Sequence, residues 1–189
     1  MRLPQIQGLR ALAALLVVFY HAGFIDGGYI GVDVFYVISG FLITGLIVRE
    51  VEQETQFNFR AFYKRRILRL LPASFFIALV TVVFTFFAIG PSLRTQLAKE
   101  FLVANTYVSN FLFAYWDNDY QNLDAQPSVF LHYWSLAVEE QFYLVWPFLL
   151  VLFYKIKPLG IRQGVLLIGV VSFVTSIVCT YLYPVWAFY

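Results

Sequence analysis

Several ionisable side chains stand inside long apolar runs, where each costs about 2.5–3.5 kcal/mol on insertion scales and marks a functional candidate. The run GLRALAALLVVFYHAG carries Arg10 and His21, eleven residues apart. Eleven helical steps of about 100° return nearly to the starting direction, so both side chains share one stripe, about 16 Å apart along the axis. An imidazole titrates near neutrality and can take a proton from a hydroxyl. The next run, GGYIGVDVFYVISGFLITG, places Asp33 four residues inside its start, at about the depth of His21. The Asp26-Gly27-Gly28 turn is short enough to keep the two runs adjacent and antiparallel. A carboxylate beside an imidazole holds one tautomer and strengthens the base; the plainer alternative is that Asp33 caps its helix or binds interfacial water.

Two further constellations follow. In FYKRRILRLLP, Arg66 and Arg69 lie three residues apart on one helical face, just before the third apolar run. Two guanidiniums at that spacing can clamp a phosphate or pyrophosphate, or simply fix the cytoplasmic side and touch lipid phosphates. In FLHYWSLAVEEQFYLVWP, His132, Ser135 and Glu139 share a face, with Glu140 turned about 100° away. A serine nucleophile with His132 as its base ranks below a role in orienting and polarising, because no strained nucleophile turn or glycine-rich oxyanion loop is evident. A metal is not expected: zinc wants further His or Cys ligands, and the sequence offers two His and one Cys.

The elements that must carry these residues follow from composition. Of 189 residues, 61% are hydrophobic, 20% aromatic and only 13% charged, about half the charge of a soluble domain. The single cysteine, Cys179, excludes a disulfide framework and reads as a small buried hydrophobe. A net charge of +2 gives no footprint for nucleic acid. Five stretches reach the length of about 20 residues that a hydrocarbon core requires: 8–24, 29–48, 71–90, 131–154 and 165–183. Pro72 falls near the start of the third, and Pro147 inside the fourth is expected to kink it. No cleavable signal is evident, so the first run is read as retained.

A sixth stretch, 97–116, is apolar but broken by Lys99, Glu100, Asn105, Ser109 and Asn110. If it does not cross, eleven of the thirteen basic residues lie inside, leaving Arg94 and Lys99 outside. It is therefore placed outside, interfacial or re-entrant, with the polar Asp117–Gln126 segment beyond it. The expected fold is an all-α polytopic transmembrane helix bundle of about five spans. Its N-terminus is cytoplasmic and its location the bacterial inner membrane. Arg10, Arg66 and Arg69 then lie near the inner mouth, and His21, Asp33 and Ser135 toward the outer one.

The sequence resembles the membrane-bound acyltransferase 3 family, bacterial enzymes that O-acylate surface and exopolysaccharide sugars. Four ordered segments carry the resemblance: Arg10 with His21, YIGVDVFYVISGF at 29–41, Arg66-Ile-Leu-Arg69, and HYWSLAVEEQFYLVWP with Ser135 and Glu139. It implies an acyl donor such as acetyl-coenzyme A as co-substrate, with no tightly bound cofactor, and a carbohydrate or glycolipid acceptor. His21 would be the general base, Arg10, Arg66 and Arg69 would bind the donor, and Ser135 and Glu139 would shape the pocket. His132 and Glu140 are supporting candidates. Family members have about ten spans, so residues 1–189 resemble an N-terminal half, which further helices or a second chain would complete. The competing readings are a transporter, which would show inverted repeats with broken helices, and an inactive fragment.

Overall fold

The computed structural model describes residues 4–54, 56–116, 128–156 and 160–188, and among these every regular element is helical. The expected acidic loop at 117–126, and Lys157, lie outside the described residues. The chain divides into two compact units, residues 1–57 and 58–189.

The first unit is a helical hairpin of α1 (Pro4–His21) and α2 (Ile30–Glu54). Its two helices meet at small residues. Gly28 and Gly31 are buried, and a methyl group on either would collide with the carbonyl oxygen of Leu16 or Ala13 and with the side chains of Tyr20 or Val17. Without a hydrophobic drive between helices in lipid, such close backbone approach is what holds two spans together.

The second unit begins with α3 (Phe59–Ala88), which starts twelve residues before the expected third span. The charged stretch FRAFYKRRILR is not a loop. Its Ala, Lys, Arg and Leu residues are good helix formers, and Asn58 caps it by accepting from the Ala61 amide at 2.9 Å. Arg66 and Arg69 therefore lie two to three turns inside a helix, and Pro72 sits in its interior rather than near its start.

After a single 3-10 turn at Pro91–Leu93, α4 (Arg94–Asn105) folds back along α3, followed by the short α5 (Ser109–Tyr115). The guanidinium of Arg94 stacks over Phe86 at 4.1 Å, and the Phe101 and Phe75 rings lie 6.1 Å apart. Twelve and seven residues are too few to cross a bilayer, so 94–115 forms a re-entrant hairpin, as its interrupted apolarity predicts. Glu100, expected only as an interruption, is buried with both oxygens engaged. Oε1 accepts from Gln96 at 2.9 Å, and Oε2 accepts from Ser128 at 2.7 Å.

Helix α6 (Tyr133–Lys155) runs antiparallel to α3, and α7 (Gly160–Leu182) and α8 (Pro184–Phe188) complete the described chain. The register of α3 against α6 is set by matched contacts. Phe59 stacks on Phe148 with ring centres 4.6 Å apart, and the Tyr63 hydroxyl donates to the Leu144 carbonyl at 2.7 Å. Further along, the Tyr133 hydroxyl donates to the Ser74 carbonyl at 3.4 Å. Ala78, Leu97, Ala104, Phe113, Phe130 and Tyr133 form the buried apolar core where α3 to α6 meet.

Helices α2, α3, α6 and α7 are each long and apolar enough to cross a membrane, and most of their apolar surface is exposed. The chain is a multi-pass membrane protein. Against an expectation of five spans, α1 falls short: its 18 residues include Gln5, Gln7, Arg10 and His21.

Candidate active site

Within the first unit, His21 ends α1 with its ring exposed, and Nδ1 lies 2.8 Å from the Val17 carbonyl. A carbonyl can only accept, so Nδ1 carries the hydrogen, and in the neutral ring Nε2 is the nitrogen able to take a proton. The edge of Tyr20 packs on the imidazole at 5.4 Å, and the Tyr29 ring packs on Tyr20 at 5.6 Å.

Asp33 was expected to orient this ring, and the hairpin places it elsewhere. Because Gly31 packs against Ala13 and Val17, Asp33 falls level with the middle of α1. At about 1.5 Å per residue that is roughly 12 Å along the axis from His21. The glycine contacts stagger α2 deeper than the short turn suggests, and the Val17 carbonyl takes the orienting place. Arg10 is half-buried in the first half of α1.

Within the second unit, the antiparallel register brings Arg66 level with the paired glutamates. Arg66 Nη2 lies 3.9 Å from Glu139 Oε1 and 3.6 Å from Glu140 Oε1. Its guanidinium carbon sits 3.2 Å from the Tyr143 ring centre, and the Tyr143 hydroxyl donates to Glu139. The expectation of Arg66 at one mouth and Glu139 toward the other does not hold: one cluster contains both. Arg69 is exposed, so the arginine pair divides into one cation engaged by carboxylates and one facing outward. At the start of α6, the Ser135 hydroxyl donates to the backbone carbonyl of His132 at 3.2 Å, and the His132 ring packs on Tyr133 at 5.4 Å.

Beside Arg66 lies a cavity of about 440 Å³, walled by α3, the turn between α4 and α5, and α6. The turn is pinned by Gln141, whose amide nitrogen donates to the Tyr107 carbonyl at 2.8 Å and to Asn110 Oδ1 at 2.9 Å. Tyr107 is held at φ 55°, a left-handed conformation costly for a bulky residue. Burial pushes its phenol above the usual range. The Tyr107 and Ser74 hydroxyls face each other without completing a hydrogen bond. Sequence reasoning did not single out Tyr143, Gln141, Tyr107 or Glu100. Tyr143 had a signal, four residues after Glu139 and so on its face; the others depend on how the hairpin docks.

The acyltransferase domain family profile matches residues 3–189, nearly the whole chain. The chain belongs to this acyltransferase family. Among family relatives, the O-acetyltransferase OatA of Staphylococcus aureus is 39% identical over 173 residues, covering 90% of this chain and 28% of the relative. The peptidoglycan O-acetyltransferase OatA of Listeria monocytogenes is 40% identical over 154 residues, covering 80% of the chain and 25% of the relative. The putative peptidoglycan O-acetyltransferase YrhL of Bacillus subtilis is 40% identical over 151 residues, covering 79% and 24%. The chain thus spans about a quarter of the length of these acyltransferase relatives. No solved structure matches it.

Proposed function

We propose that the protein is a membrane O-acetyltransferase that moves an acetyl group from a coenzyme A thioester to a hydroxyl of a cell-envelope carbohydrate, peptidoglycan first among them. The observation that carries the reading is the His21 ring at the end of α1, held through Nδ1 by Val17 so that Nε2 is the proton-accepting nitrogen. Family membership supplies the reaction class, and the relatives' names suggest the acceptor.

In this reading Nε2 of His21 takes the proton of the acceptor hydroxyl as its oxygen attacks the thioester carbonyl carbon. The carbon–sulfur bond then breaks, and the proton passes to the departing sulfur. The products are an O-acetyl ester and the free thiol. Arg10 and the exposed Arg69 serve the donor's phosphates. Arg66, already beside two carboxylates, acts chiefly as a positioning residue together with Ser135, Glu139, Glu140 and His132. The reading also places the protein in the bacterial inner membrane with a cytoplasmic N-terminus.

The test uses membranes given labelled acetyl-coenzyme A and peptidoglycan fragments. His21→Ala and His21→Gln should lower label transfer by about 10²–10⁴-fold, the range a general base contributes, with membrane insertion unchanged. Full activity in both variants would refute the assignment.

A further inference from the structure

The cavity beside Arg66 has a lining that selects among ligand chemistries. Its 440 Å³ falls within the range of about 300–1,000 Å³ typical of small-molecule sites. Ile67, Leu70, Leu71 and Leu144 make most of its wall apolar. Three lining residues nonetheless bring buried polar atoms without a hydrogen-bond partner: Arg66 Nε, Glu140 Oε1 and the Tyr107 hydroxyl. Glu140 Oε1 is 3.6 Å from the guanidinium, which is an ion pair but beyond a normal hydrogen bond.

Each simple occupant fails on one count. A hydrocarbon tail would suit the leucines and leave all three polar atoms unmatched. A phosphate would meet one arginine faced by two carboxylates, so the cluster offers it no excess positive charge. A free sugar needs a polar partner for nearly every hydroxyl, which four aliphatic side chains do not give. An amide satisfies the set: its N–H can donate to Glu140 Oε1, its C=O can accept from Arg66 Nε, and its flanking methylenes suit the aliphatic wall.

We propose that this cavity receives an uncharged amide-bearing chain, the arm that carries the thioester in the acyl donor. The inference rests on the donor reading given under Proposed function. It separates the arm from the donor's phosphates, which fall to exposed cations such as Arg69.

The test uses the protein in lipid nanodiscs with Cys179→Ser and Val108→Cys, which puts one thiol in the cavity wall. Maleimide labelling of that thiol is timed with S-acetylpantetheine, adenosine 3′,5′-bisphosphate, N-acetylglucosamine or no addition. S-acetylpantetheine at ten times its Kd should slow labelling about tenfold by mass action, and Glu140→Gln should weaken that protection. Protection by the bisphosphate or by the sugar instead, or by none of the three, overturns the proposal. A diazirine-bearing S-acetylpantetheine, applied to the unsubstituted protein, should crosslink within residues 105–108; crosslinking confined elsewhere counts equally against it. If acetyl-coenzyme A supports transfer while S-acetylpantetheine leaves the thiol open, the cavity inference falls and the proposed function stands. Absence of transfer from acetyl-coenzyme A sinks the functional reading even where the arm binds.

Discussion

Replacing Arg66 with methionine probes the cluster that joins α3 to α6. The side chains of Arg66, Glu139 and Glu140 are 20%, 22% and 15% exposed, so water screens the group only slightly. Arg66→Met keeps the length and packing of the side chain but leaves two sequence-adjacent carboxylates without the cation. Removing one partner of a buried pair costs about 3–5 kcal/mol, because the remaining charge stays buried. The residual exposure points to the lower end, about 3 kcal/mol, with the stack on Tyr143 lost as well. For a chain of this size that corresponds to a fall of roughly 6–12 °C in Tm. The assay is thermal unfolding of the detergent-solubilised protein, followed by size-exclusion fluorescence. Arg69→Met, at an exposed position, should change stability by no more than about 0.5 kcal/mol. Adding Glu139→Gln and Glu140→Gln to Arg66→Met should recover at least about half of the loss, since a neutral buried set of similar volume is far less costly than unpaired charge. If Arg66→Met is as stable as Arg69→Met, or if the added glutamines give no recovery, the cluster does not hold the two helices together.

The left-handed turn at Tyr107 makes its own prediction: Tyr107→Ala and Tyr107→Gly both lose the ring, but glycine relieves the backbone cost, so it should be more stable than alanine by about 1 kcal/mol in the same unfolding assay. Glu100→Ala should destabilise by about 2 kcal/mol, because it leaves Gln96 and Ser128 without their buried acceptor, whereas its neighbour Lys99→Ala should be nearly silent. Asp33→Asn should keep acetyl transfer within about tenfold of the parent, far above His21→Ala, because the Val17 carbonyl rather than Asp33 fixes the tautomer. A loss in Asp33→Asn equal to that of His21→Ala would show that the carboxylate acts on the imidazole after all.

The membrane helices and most residues able to do chemistry are legible in the sequence. Apolar runs of about 20 residues have one stable answer in a bilayer, a helix that satisfies its own backbone, and charges inside such runs stand out against them. The same logic predicts that 94–115 fails to cross. It misplaces the start of α3, because a run of Arg and Lys reads as a loop by polarity although those residues favour helix and Asn58 caps them. It also brings Asp33 too close to His21, because loop length alone does not reveal how far Gly28 and Gly31 let two backbones slide together.

What tertiary structure alone decides is partnership. Positions 66 and 139–140 are more than 70 residues apart, and only the antiparallel register of α3 against α6 turns a phosphate-clamp candidate into an ion pair over Tyr143. The docking of the α4–α5 turn likewise creates a cavity and strands three polar atoms on its wall. Local sequence determines helices and the depth of their charges because those depend on neighbours three or four residues away. Which charges meet depends on contacts between distant segments, and no local pattern encodes that.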